Sequence, residues 1–182
     1  MKNTQYIFGS ITVLIIILLV ALFGYLSNQQ NINKNRIPNK ALNNKSDIIQ
    51  ELLDYLVDFN YLKRSVKLFS FIDSQESENS SAIGRGVAFP HSISKELEDL
   101  VCILGISKSG VHYDNEVIHP CHIILLSLSP ENNPDIHRKF ISKFRLLMID
   151  PKLKHNIINA QSSEGIETIL TNWEIEQLEE EL

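Results

Sequence analysis

His91 follows directly on a glycine- and hydroxyl-rich approach, Ser80-Ser81-Ala82-Ile83-Gly84-Arg85-Gly86-Val87-Ala88-Phe89-Pro90. An imidazole with an unperturbed pKa of about 6.5 is mostly neutral at pH 7, and its ring-nitrogen lone pair makes it a nucleophile able to carry a phosphoryl group. The approach suits an anion. Gly84 and Gly86 can turn backbone N–H groups outward, Arg85 brings permanent charge, and Ser80 and Ser81 offer hydroxyl donors. The same residues also fit an ordinary loop entering a strand, because glycine-X-glycine is common.

The other imidazoles carry less information. His137 falls in the first turn of a helix expected after Asn133-Pro134-Asp135, where free N–H groups and the dipole favour an anion. Taken alone it reads as a surface histidine. His122 sits in an apolar strand, so it either points into a site or is a satisfied core residue. His112, His119 and His155 have no assigned role, and a metal site over His119 and His122 lacks further ligand types nearby. Cys102 and Cys121 lie in apolar runs without CxxC spacing, which fits buried thiols in a reducing compartment and leaves a single disulfide open.

Positioning these groups takes an alternating α/β pattern. Ile48, Ile49, Leu52, Leu53, Leu56 and Val57 recur at helical spacing, and a second helix is expected over 62–71. Residues 73–81 read as a polar, flexible segment leading into a strand at Val87-Ala88-Phe89 that Pro90 ends. Residues 100–107 and 121–128 are apolar runs of strand length, suited to the interior of a sheet covered on both faces. Asn133 as N-cap and Pro134 at the first position start a helix whose buried face is Ile136, Phe140, Phe144, Leu147 and Met148. Shorter helices follow over 153–160 and from 163 to 173 or beyond.

Ahead of this domain, residues 6–26 carry no charge, and at 1.5 Å per residue they are long enough for the roughly 30 Å hydrocarbon core of a bilayer. The stretch reads as a transmembrane helix rather than a cleaved signal, since no small-x-small pattern follows it. Lys34, Arg36, Lys40 and Lys45 lie after it and Lys2 before it, which orients the following domain to the cytoplasm. The expected organisation is an anchor over 1–27, a polar linker over 28–45, a domain over 46–173 and an acidic tail or helix end over 174–182. With a formal charge of −5 the chain has no basic surface for nucleic acid, and its 182 residues leave no room for a second catalytic domain.

The segment from Ser80 to His91 resembles the active-site stretch of the fructose, mannitol and nitrogen-regulatory type IIA (EIIA type-2) components of the bacterial phosphotransferase system. There the pattern is serine-threonine-glycine-isoleucine-glycine-X-glycine-aliphatic-alanine-aliphatic-proline-histidine. Gly110-Val111-His112-Tyr113-Asp114, Pro120-Cys121-His122 with the strand after it, Pro130-Glu131-Asn132 with His137, and residues 160–169 are similar to later motifs of that family in the same order. The likeness covers about 45–170. It implies an α/β fold with a central mixed β-sheet covered by helices on both faces, here preceded by one transmembrane helix.

The resemblance further implies a histidine phosphocarrier that needs no cofactor or metal. His91 would accept the phosphoryl group from an HPr-like phosphocarrier, and His137 would be the second imidazole of the site. Ser80, Ser81, Gly84, Arg85 and Gly86 would bind the phosphate. The group would pass to a IIB component or act as a regulatory signal on a membrane transporter or kinase. A phosphorylation-deficient interaction domain of the nitrogen-regulatory type is the alternative. Two positions depart from the pattern: Gln75-Glu76 stands where arginine-glutamate is common, and Ser81-Ala82 replaces threonine-glycine. Arg85, Arg138 and Lys139 are the candidates to supply the charge that Gln75 lacks.

Overall fold

The computed structural model describes residues 14–19, 33–35, 44–113, 119–133 and 135–180. Among them six strands form one mixed sheet. These are β1 (Leu14–Leu19), β2 (Asn33–Asn35), β3 (Val87–Ala88), β4 (His91–Ser94), β5 (Val101–Val111) and β6 (Cys121–Pro130). Five run in the order β2-β1-β5-β6-β3, and β4 also pairs with β6. β5 and β6 are antiparallel, whereas β3 and β4 run parallel to β6, with His91 opposite Ser127. The mixed sheet expected from the resemblance is therefore present.

Alternation along β5 and β6 sends successive side chains to opposite faces. Val101, Ile103, Ile124, Leu126 and Leu128 pack beneath α1 (Lys45–Asp58) and α2 (Val66–Glu78). Cys102, Leu104, Ile106, Ile123 and Leu125 pack beneath α3 (Ile136–Ile149), α4 (Pro151–Asn159) and α5 (Ser163–Glu180). Both faces are covered, and this explains why the two strands read as unbroken apolar runs. Cys102 and Cys121 are free, fully buried and on opposite faces, which removes the disulfide alternative.

Several boundaries differ from the sequence expectation for local reasons. The second helix starts at Val66 and continues to Glu78, so most of the stretch expected to be flexible is helical. Its polarity misleads because Ser70 and Ser77 donate to the carbonyls of Val66 and Asp73, one turn back, and Glu76 is buried. Pro90 separates β3 from a further strand, β4, which the sequence reading did not contain. α3 begins at Ile136 with Asp135 as cap, two residues later than expected, because the Ile136 amide bonds the Asn133 carbonyl in a turn. α5 runs to Glu180, so the acidic residues 174–180 are a helix end.

The N-terminal expectation needs the largest correction. Leu14–Leu19 is a strand, with Ile16 opposite Leu104 and Leu19 opposite Val101 on β5, and not part of a helix. Asn33–Asn35 of the expected linker pairs with it. A run of Ile, Leu and Val satisfies a buried strand as well as a helix, and periodicity cannot separate the two. The rest of 6–26 lies outside the described residues, and no helix among the described residues is long and apolar enough to cross a membrane.

Candidate functional site

β4 opens with His91, whose side chain is exposed while Ser92 behind it is buried. The ring is held from the chain just before β4: Nδ1 lies 3.2 Å from the Phe89 carbonyl oxygen. A carbonyl only accepts, so this bond assigns the proton to Nδ1 and the lone pair to Nε2. The reactive nitrogen is thereby selected by the backbone two residues before His91.

His91 lines a cleft of about 500 Å³ between two walls. One wall is the end of α2 and the segment after it, with Gln75, Glu76, Glu78, Asn79, Ser80 and Ser81. The other is α3, with Arg138, Ile141, Ser142 and Arg145. Those four fall at i, i+3, i+4 and i+7, the spacing that puts side chains on one helical face. Phe89 lies at the floor, edge-on to Phe144 at 5.7 Å between ring centroids.

The serine wall is fastened by a buried carboxylate. Glu76, 5 % exposed, accepts the Ser81 amide at 2.9 Å and the Tyr113 hydroxyl at 3.2 Å on the same Oε2. The Phe89 amide in turn donates to the Ser81 hydroxyl at 3.2 Å. Glu76, Tyr113, Ser81 and Phe89 thus form a chain from the α2 wall to the strand that bears His91. Burial, and then the Glu76 charge, push the Tyr113 phenol well above its ordinary range, so it stays a donor.

Ser80, Ser81 and His91 are brought together, and Gly84, Arg85 and Gly86 are not. The three take left-handed φ values of 73°, 55° and 77°, and the Gly86 carbonyl accepts the His122 and Ile123 amides at the start of β6. Gly86 bonds the His122 amide while His91 stands opposite Ser127, so five residues of β6 at about 3.3 Å each set this turn roughly 16 Å from His91. Lys154 of α4 donates to the Arg85 carbonyl at 2.7 Å, a further tie away from the cleft. His122 belongs to that end too, with Nδ1 2.9 Å from the Ser107 carbonyl and its ring against Gly86 and Gly110. Ala82, which replaces glycine, has no positive φ and bridges Ala88, so it fits without strain.

His137 occupies the second position of α3; its side chain lies outside the described residues. Of the three candidates for the missing charge, Arg138 lines the cleft, while Arg85 and Lys139 do not. Arg145 was not anticipated, although its spacing of seven from Arg138 was readable once the helix face was phased. Glu76 was also missed as a positioning group, because the helix that buries it was cut short.

The comparisons with known proteins fit this geometry. A fructose-specific EIIABC component of the phosphotransferase system from Bacillus subtilis is 25% identical over 126 residues, 69% of this chain and 20% of that protein. The chain therefore spans about one fifth of that relative's length, and 19% of a second fructose-specific EIIABC component, from Mycoplasma pneumoniae. A nitrogen regulatory protein from Bradyrhizobium diazoefficiens is 21% identical over 74% of this chain and 87% of its own length. Among solved structures, the nitrogen regulatory protein IIA-Ntr of Neisseria meningitidis superposes with a TM-score of 0.64 at 22% identity, covering 71% of this chain and 88% of that one. The complex of mannitol IIA with phosphorylated mannitol IIB from Escherichia coli gives 0.59 at 16%, covering 74% and 91%. These likenesses show the fold. The family model described as the EIIA 2 component of the phosphoenolpyruvate-dependent sugar phosphotransferase system matches residues 30–173, and the chain belongs to that family.

Proposed function

We propose that this protein is a histidine phosphocarrier in which His91 Nε2 accepts the phosphoryl group. The observation that carries the reading is the bond from His91 Nδ1 to the Phe89 carbonyl at the floor of the cleft, which leaves Nε2 as the nucleophile. In the transfer, the His91 lone pair forms the new N–P bond while the electrons of the donor's N–P bond return to the donor ring nitrogen. The transition state is loose and spreads charge over three oxygens, so positioning and fixed donors supply most of the catalysis. Ser80 and Ser81 line the same cleft as His91 and offer hydroxyls to do so, and His137 is the second imidazole that the family pattern assigns.

The donor in this reading is the phosphohistidine of an HPr-like carrier. The acceptor is a IIB component, which the structural likeness to a mannitol IIA bound to phosphorylated IIB supports. Similarity to a nitrogen regulatory protein supports a second use, in which the phosphorylation state controls binding to a transporter or kinase. For location, the uncharged run over 6–26 is long enough for a single-pass placement in the cell membrane with the domain on the cytoplasmic side, a state in which Leu14–Leu19 leaves its pairing with β5.

The carrier reading is tested by incubating the full-length chain with phosphoenolpyruvate, enzyme I and HPr. Acid-labile phosphate should appear on the wild type and be absent from His91→Ala. Label that persists in His91→Ala, or a wild type that stays unlabelled beside an active donor, overturns it. Onward transfer to a IIB component would then favour transport over regulation.

A further inference from the structure

We propose that Arg145, with Arg138 on the same face of α3, is the cation that binds the transferring phosphoryl group, replacing from α3 the charge that Gln75 does not supply from α2. The inference rests on the phosphocarrier reading of His91 and assigns the electrostatics of that same cleft. Gln75 and the two arginines line the cleft from opposite walls. A glutamine amide offers only neutral donors, whereas a guanidinium offers a planar, charged fork matched to phosphoryl oxygens.

Charge balance makes the arginines necessary. The carboxylates lining the cleft are Glu76 and Glu78, and the full cations lining it are Arg138 and Arg145. Two negative charges against two positive leave the described lining near neutral. Without the guanidiniums a dianionic phosphoryl group would enter a cleft that is itself doubly negative. The Ser81 amide and the Tyr113 hydroxyl that Glu76 accepts hold its carboxylate in place, so its charge is a fixed part of that lining.

The two arginines differ in how they are held. Arg138 is exposed and pairs with Asp135 at 3.3 Å, so part of its charge is already answered. Arg145 has no carboxylate partner among the described residues, and its guanidinium carbon lies 5.8 Å from the centroid of the Phe89 ring. That contact orients the cation without neutralising it. Phe89 also supplies the carbonyl that holds His91, so one residue sets both the nucleophile and the cation.

The test is single-turnover labelling of the full-length chain by phosphorylated HPr. Arg145→Gln should slow labelling of His91 by roughly tenfold or more with an unchanged melting temperature, as removal of a preorganised charge donor does. Arg145→Lys should restore only part of the rate, since an ammonium lacks the fork. Gln75→Arg introduced into Arg145→Gln should recover the rate from the other wall, a rescue that a purely structural role for Arg145 does not produce. Equal rates for wild type and Arg145→Gln, or a slowed variant that Gln75→Arg leaves slow, overturn the arginine assignment while the carrier reading stands. A wild type that takes no label from active phosphorylated HPr overturns both.

Discussion

Glu76 and Tyr113 form a polar pair inside an apolar core, and their cost is offset only because each satisfies the other while Ser81 completes the set. Tyr113→Phe leaves the carboxylate with one donor fewer, which costs about 1–3 kcal/mol at neutral pH by the usual penalty for a buried group left short of a partner. The pH dependence has a definite sign. The folded-state phenol titrates above its unfolded value of 10.0, because burial and the Glu76 charge both disfavour phenolate. From about pH 10 upward the unfolded chain releases a proton that the folded chain keeps, so stability falls as pH rises. Cys102, buried and raised above 9.0, adds a second fall in the same alkaline range that Tyr113→Phe retains. Urea midpoints measured from neutral to alkaline pH should show the wild type falling more steeply than Tyr113→Phe, with the two curves converging. Parallel curves would remove Tyr113 from the account. Of this set the sequence announced Ser81 and, through the family pattern, the positions of Glu76 and of the motif holding Tyr113. The role of Glu76 stayed hidden because a carboxylate in a polar stretch gives no sign of burial until the helix carrying it is placed.

At the scale of elements, the active-site motif divides into two parts with different jobs. Its first residues, Ser80 and Ser81, stand beside His91, and its middle, Gly84-Arg85-Gly86, turns the chain into β3 at the opposite end of the strand. A linear motif invites the assumption that all its members meet one ligand, and a strand of known rise contradicts it. Three consecutive left-handed residues are what this turn needs, and glycine on either side of Arg85 provides two of them without steric cost. Arg85→Ala should therefore leave the rate of phosphoryl transfer to His91 within about twofold of wild type, since Arg85 does not line the cleft and its backbone stands roughly 16 Å from His91. A tenfold loss in single-turnover labelling would return the turn to the phosphate site. The strands β5 and β6 and the buried faces of α1 and α3 were legible from apolar periodicity. The start of α3 was not, because the turn at Asn133 competes with the cap that the same residues could form.

The whole molecule joins a domain of settled family to an N-terminal run with two physically exclusive uses. Residues 14–19 cannot both cross a bilayer as a helix and pair with β5. Pairing covers the edge of β5, whose unpaired backbone groups would otherwise be open to association. Spanning a bilayer instead removes from water all 21 uncharged residues over 6–26, of which the six-residue strand accounts for fewer than a third. By that difference in apolar surface, the proposed membrane placement predicts that the full chain stays with the membrane pellet through an alkaline wash. It further predicts that the β5 amides facing β1 exchange with solvent at the same rate whether or not residues 1–27 are present. Recovery of the chain in the soluble fraction, with slow exchange at Val101–Leu104 that speeds up when 1–27 are removed, would withdraw the anchor and make β1 a permanent member of the sheet. The cleft is indifferent to the outcome, since β1 joins the sheet on the far side of β5 while His91 lies beyond β6, and phosphoryl transfer to His91 should proceed in either case. Tethering would change only the local concentration at which membrane-bound acceptors meet the carrier.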